Sequence, residues 1–475
     1  MRQKTIREKK EQEKIKQENA VQENTIQENI KQENTVQENS LTAGPIRRPL
    51  VRFAIPVILS MLAAQLYSVA DSMIIGWKLD SDALAAASNG AAVLMFFLFV
   101  SGGMELAGNL LIAAKKPVFQ KKQMEELTWN LLFVDGILAL VMTVLGIVGF
   151  RALLILINTP EEILADAWLY GVVYMVGLPF QMIYDLAKQI LIGYGDSKTP
   201  LYATLFTSVL NVILDIVLVD LAGIGGAAAA SALAQVVGCV IVYGYLRRTL
   251  LEERFQWNML RLSYWKEIFR LAPANTLQQM SGVVVTNIKQ GLLGSIGVDA
   301  IAGFSCASRM TNLILIPVYG FVQSLVTFIA QNLALNQEKR IKEGMKTATQ
   351  LLMGLATILI LICLCFHDFM MALFTDNQEA VRYGAMILVY EPFSYYFTVM
   401  RHVQEAKLRG KQDMMRYLIS SITTMAVNIF CAIILVHWIG YPGFFVATWI
   451  SSFAGMILSI ILVRISDGRN HCIVR

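Results

Sequence analysis

The chain has 475 residues, of which 56% are hydrophobic and only 16% charged, and its mean hydropathy is +0.54. A water-soluble domain confines its apolar residues to narrow stripes and carries about a quarter charged residues. Here the apolar residues form blocks of about 18 or more, enough to cross a bilayer as a helix, and the ~10-residue alternating segments of a membrane barrel are absent. The net charge of +5 does not mark a nucleic-acid binder, because Lys and Arg flank the apolar blocks instead of forming a basic face interleaved with aromatic residues.

Residues 1–48 differ from everything that follows. From Gln17 the chain repeats QENAV, QENTI, QENIK, QENTV and QENS. A period of five matches neither the 3.6-residue helix nor a heptad, so this segment reads as a solvated cytoplasmic tail. No apolar core follows its charges, so it is not a signal peptide.

Twelve apolar spans follow, with approximate cores at 51–76, 84–113, 127–150, 163–192, 200–220 and 225–246, then 266–292, 299–333, 345–366, 380–406, 414–437 and 442–464. The pattern predicts an all-α integral membrane protein. Loops on the N-terminal side carry most of the positive charge, including Arg47, Lys121, Arg248, Lys342 and Arg416, whereas the opposite loops carry Asp80, Glu161, Asp376 and few cations. The positive-inside rule then places both termini in the cytoplasm and the chain in the inner membrane.

The spans fall into two sets of six. A shift of 217 residues places Pro56 on Pro273, Gly103 on Gly320, Gly193 on Gly410 and Asn211 on Asn428. Six followed by six gives two lobes of the same orientation, related by a pseudo-two-fold axis along the membrane normal, with substrate expected between them. The expected divisions are the tail (1–48), an N-terminal lobe (49–250), a C-terminal lobe (251–466) and a short C-terminal tail (467–475).

Ionisable residues inside spans need an explanation, because a charge at the bilayer centre costs at least ~2.5–3.5 kcal/mol. Asp71 lies in the first span, with Tyr67 four residues earlier on the same helical face and Gln65 nearby. Asn211 and Asp215 share a face of the fifth span. Asp185 and Lys188 stand three apart in the fourth span, an internal ion pair or part of a site, and Glu105 lies in the second. A buried pair such as Asp71 and Asp215 could bind and release a proton, or hold Na⁺ with Asn and Tyr oxygens. The seventh span carries Gln278, Gln279, Lys289 and Gln290, either cross-helix glue or a substrate wall. A cavity-facing Lys289 would repel cationic substrates unless a carboxylate such as Glu391 neutralised it. The six cysteines lie mostly in apolar blocks without metal-ligand spacing and read as packing residues.

Four stretches resemble multidrug and toxic compound extrusion (MATE) transporters: QLYSVADSMIIG from Gln65, with DALAA from Asp82; GYGDSKTP from Gly193, with NVILD from Asn211; the proline-led seventh span with Gln278 and Gln279; and ASRM from Ala307, with QNL from Gln331. The resemblance runs from about residue 50 to 464. It implies two six-helix lobes that open alternately, and antiport of small organic cations against Na⁺ or H⁺ with no prosthetic cofactor. It also implies that Asp71, Asn211 and Asp215 form the coupling-cation site; a monomer is expected, although the sequence itself does not reveal the oligomeric state. Glu105, Asp185 and Lys188 depart from the family pattern. Two other readings stay open. A flippase for a lipid-linked saccharide would use Lys188, Lys289 and Arg309 to line a cationic cavity, although twelve spans and GDSKTP argue against it. An intramembrane enzyme would need a motif such as HExxH or GxSxG, and neither appears.

Overall fold

The computed structural model describes residues 41–473. Among them the regular structure is helical throughout, without strands. The QEN repeat lies outside the described residues.

The N-terminal lobe begins with α1 (Arg47–Lys78), α2 (Ser81–Lys115), α3 (Lys121–Leu156) and α4 (Glu161–Tyr194). A single helical run, Lys198–Thr249, completes it. At ~1.5 Å per residue that run is more than twice the hydrocarbon thickness. It breaks at Ala222 (φ −137°) and at Gly223, whose φ of +57° favours glycine. The arms are therefore two spans, α5 (198–221) and α6 (224–249), as the two apolar blocks predicted.

The C-terminal lobe comprises α7 (Leu262–Leu293), α8 (Val298–Ala334), α9 (Glu338–Ala372), α10, α11 (Met414–Ile439) and α12 (Gly443–Ile473). Helix α10 has two arms, Gln378–Tyr390 and Tyr395–Gly410, joined by a 3₁₀ turn at Glu391–Ser394. Pro392 accounts for that turn, because it removes a backbone donor from the helical ladder. Helix α12 runs past residue 466, where a tail was expected to begin.

Nine helical runs among the described residues are long and apolar enough to cross a membrane. Dividing the broken run makes ten, and α7 and α10 complete the twelve. Helix α7 is missed by hydropathy because it carries Asn275, Gln278, Gln279, Asn287, Lys289 and Gln290. Short corners join the spans. The Asp80 side chain accepts from Ala83 N at 2.8 Å to cap α2, and Asn377 accepts from Glu379 N at 3.0 Å to cap α10.

Three apolar clusters define how the lobes meet. One draws on both lobes and uses mainly the half of each helix nearest the chain ends: Leu50 and Phe53 of α1, Leu110 and Leu111 of α2, Leu325 and Ile329 of α8. The second is confined to the N-terminal lobe, around Ile75, Phe150 and Leu178. The third is confined to the C-terminal lobe, around Phe304, Met371 and Phe444. The lobes are thus fused at the face that carries both chain ends and the basic loops, here called the terminal face, and splay apart toward the far face.

Polar contacts follow the same division. Lys115 pairs with Glu267 at 2.9 Å, Gln331 Nε2 donates to Gly193 O at 2.9 Å, and Thr327 Oγ1 donates to Asn109 Oδ1 at 3.1 Å. Asn275 Nδ2 donates to Gly102 O at 2.8 Å. Here α2 and α7 approach so closely that a Cβ at Gly103 would lie 2.7 Å from Ala272 O. No interlobe hydrogen bond joins the far halves among the described residues. Residues 41–44, expected in the solvated tail, are instead docked: Asn332 Nδ2 donates to Leu41 O at 3.0 Å and Arg340 Nη1 to Gly44 O at 2.6 Å. Leu41 is buried in the shared cluster, and its apolar side chain explains the docking.

The interlobe connection is fixed to α3. Asn130 Nδ2 donates to Met259 O at 2.9 Å, and Asn130 Oδ1 accepts from Arg261 N and Trp265 Nε1, each at 2.9 Å. Phe133, Phe255 and Trp265 stack beside it.

Candidate functional site

The N-terminal lobe brings Asp71 of α1 against Asp215 of α5, with their carboxyl groups within hydrogen-bonding reach. Two ionised carboxylates at such a separation repel each other, an arrangement that a shared proton or a cation would relieve. The break at Gly223 folds α6 back along α5 and carries Ser231 to Asn211. With its amide nitrogen facing Asp215, Asn211 donates to Oδ2 at 3.2 Å, while its oxygen accepts from Ser231 Oγ at 3.2 Å and Ser231 N at 3.3 Å. Asp215 is fully buried and Asn211 is 2% exposed. One oxygen of Asp71 and one of Asp215 have no hydrogen-bond partner. Two carboxylates, an amide and a hydroxyl are a set of hard donors, suited to a proton or to Na⁺. Tyr170, which sequence reasoning missed, lies close enough to feel both carboxylates.

Of the surrounding candidates, Tyr67 stands between this pair and a second group, in the field of Asp71, Tyr174, Asp185 and Lys188. Gln65 is exposed and does not line the interlobe cavity. Asp185 and Lys188 form an ion pair at 2.7 Å, and Lys188 Nζ also sits 4.1 Å from the centre of the Tyr184 ring. Glu105 faces this pair, with Gln189 and Ser101 beside it. Behind them, Asp135 of α3 is fully buried, and neither of its oxygens has a partner. It was not singled out in the sequence. Its only signal there is a lone carboxylate in the apolar run LLFVDGILAL.

A cavity of about 910 Å³ lies between the lobes. Glu105 and Lys188 line it from the N-terminal lobe; Gln278, Gln279, Lys289 and Arg401 line it from the C-terminal lobe. Asp71, Asn211 and Asp215 are not part of its wall, so the carboxylate pair sits inside one lobe, off the central space. Gln290 turns away, and its Nε2 reaches Ser305 Oγ of α8 at 3.4 Å. Glu391, the carboxylate considered as a neutraliser of Lys289, does not come within 4 Å of it and acts on it only at longer range. Arg401 pairs with Glu405 at 2.9 Å, and Ser420 Oγ donates to the same carboxylate oxygen at 2.9 Å.

The C-terminal lobe repeats the geometry around Asn211 without its charges. Asn428 Nδ2 donates to Ser451 Oγ at 2.8 Å and reaches Thr448 Oγ1 at 3.5 Å. Under the 217-residue shift, Ile288 and Ala432 occupy the places of Asp71 and Asp215.

The chain is similar to known transporters over most of its length. It is 23% identical over 421 residues to "Probable multidrug resistance protein YoeA" of Bacillus subtilis, an alignment covering 84% of this chain and 90% of that one. It is 24% identical over 372 residues to an "FAD transporter" of Shewanella oneidensis, covering 75% and 80% respectively. Among solved structures, an outward-facing multidrug resistance MATE transporter superposes with a TM-score of 0.85 at 21% identity, covering 90% of this chain and 98% of that one. A Vibrio cholerae MATE transporter superposes with a TM-score of 0.83 at 20% identity, covering 88% and 96%. The family model MatE matches twice, at residues 56–217 and 274–434, once in each lobe and in nearly the register of the internal repeat. With two matched repeats covering most of its two lobes, this chain belongs to the MatE family, the multidrug and toxic compound extrusion transporters.

Proposed function

We propose that the chain is a secondary antiporter, not an enzyme, that acts as a monomer in the cytoplasmic membrane with both termini inside. It exports small organic molecules in exchange for inward-moving Na⁺ or H⁺. The observation that carries this reading is the Asp71–Asp215 contact, a pair of buried carboxyls whose repulsion a shared proton or a cation would relieve. The fused terminal face and the parted far halves support an outward-open state, in which the coupling ion enters from outside. Because the pair stands off the central cavity, the ion acts on the substrate through movement of α1 and α5 and not by direct displacement. Glu105 and the amide wall suit the basic part of an organic cation, the cargo class that the family resemblance implies.

The test uses everted vesicles containing the full chain. An imposed Na⁺ gradient and an imposed pH gradient, applied separately, should identify one ion that drives dye uptake, and Asp71→Asn should abolish that uptake while leaving dye binding in place. Normal transport by Asp71→Asn would refute the coupling assignment.

A further inference from the structure

The cavity wall has the wrong charge for a simple organic cation. Four fixed cations line it, Lys188, Lys289, Arg401 and Arg409, against two carboxylates, Glu105 and Glu405. Two of the cations are already engaged, Lys188 by Asp185 at 2.7 Å and Arg401 by Glu405 at 2.9 Å. Arg409 lies over the ring of Tyr417, 5.4 Å from its centre. Lys289 has neither kind of partner among the described residues, no carboxylate in an ion pair and no aromatic ring under its ammonium. Among the described residues no carboxylate oxygen lies within 4 Å of its ammonium. Glu391 acts on it only at longer range and is not on the cavity wall.

The position of Lys289 suits a docking role. Gln278, Val285 and Lys289 follow one another at helical spacing along one face of α7 and line the cavity together. Lys289 lies four residues from the far end of the helix, in the half where the lobes have parted. Asn312 and Gln323 of α8 line the same cavity and bring amide donors that can bond the oxygens of an anion. An ammonium on a cavity wall, without a counter-ion of its own, is available to a visiting anion.

We infer that the exported molecule carries an anionic group, a carboxylate or a phosphate, and that Lys289 is the specificity-determining residue that docks it. The inference rests on the antiport reading and names its cargo: organic anions, or organic cations that also bear an acidic group. Molecules with positive charge alone bind poorly.

Binding and transport are measured separately on the purified full chain. Fluorescence anisotropy in detergent, without lipid, follows three probes: carboxyfluorescein for the carboxylate, 4-methylumbelliferyl phosphate for the phosphate ester, and ethidium for the simple cation. The wild-type chain should bind at least one anionic probe more tightly than ethidium. Lys289→Gln should weaken that binding about tenfold and Lys289→Glu further, Lys289→Arg should stay near wild type, and ethidium should bind Lys289→Glu more tightly. The inference is overturned if ethidium binds and neither anion does, if Lys289→Glu leaves anion binding unchanged, or if Lys289→Arg loses it as completely as Lys289→Glu. Gradient-driven uptake into proteoliposomes uses the same probes. Lys289-dependent anion binding without uptake under either gradient would count against the antiport reading and leave the docking role in place.

Discussion

Gln331 joins α8 to the end of α4 across the lobe boundary. Its Nε2 donates to Gly193 O at 2.9 Å, and the residue is only 5% exposed. Gly193 lies in the last turn of α4, where carbonyls have no helical partner and must find one elsewhere. Gln331→Leu keeps the approximate volume but leaves that carbonyl unsatisfied, at a cost of about 1–3 kcal/mol. The cost falls on the outward-open state alone, because separation of the lobes at the terminal face would let water reach Gly193 O. The ratio of outward-open to inward-open molecules should therefore fall about 5- to 150-fold. The assay places a reporter cysteine at Gln278 on the cavity wall, in a chain whose six native cysteines have been replaced. A membrane-impermeant maleimide added at the far face should label the Gln331→Leu chain more slowly in proportion to the lost population. An unchanged or faster labelling rate, with unchanged thermal stability, would refute the claim that this contact seals the terminal face.

Three further predictions concern stability and are read by thermal unfolding of the purified chain in detergent. Asp135 is fully buried with both oxygens unpartnered, so Asp135→Leu should raise stability by about 1–3 kcal/mol; a loss would mean that the carboxyl has a partner or a role in this state. Glu405, 2% exposed, is held by Arg401, His402 and Ser420, so Glu405→Gln should leave Arg401 as an uncompensated charge and cost about 3–5 kcal/mol. Asn130→Ala frees the interlobe connection from α3 by removing three long-range hydrogen bonds, and should cost more than about 2 kcal/mol while raising protease cleavage between residues 250 and 261.

The architecture was legible because membrane spans announce themselves by composition. Apolar blocks and the charge of the loops gave the count, and even the break at Gly223 lay between two predicted blocks. The site was legible only one helix at a time. Spacing of four residues puts Asn211 and Asp215 on one face, but nothing in the sequence says that this face meets α1, or that α6 returns to place Ser231 beside Asn211. Gln65 shows the limit of neighbourhood in sequence: six residues at about 100° each turn it well away from Asp71. Gln290, one residue from Lys289, is turned toward α8 in the same way. Asp135 was missed because it has no polar companion three or four residues away on its helix, and its electrostatic neighbours, Glu105 and Asp185, arrive on other helices.

Asn428 with Ser451 and Thr448 repeats the amide and hydroxyl scaffold found around Asn211, without acidic residues at the places of Asp71 and Asp215. The two halves of the chain have therefore stopped being copies in the respect that matters for energy transduction. On the proposed antiport reading each cycle draws on the acidic pair of the first lobe, and turning the molecule about its pseudo-axis would not reproduce that pair, because Ile288 and Ala432 stand at its places. The second half, free of buried acids at those positions, is left to evolve its wall toward the molecule being carried. On that reading, drive and recognition sit on different helices, so a change in the cavity wall can alter the cargo without touching the acidic pair.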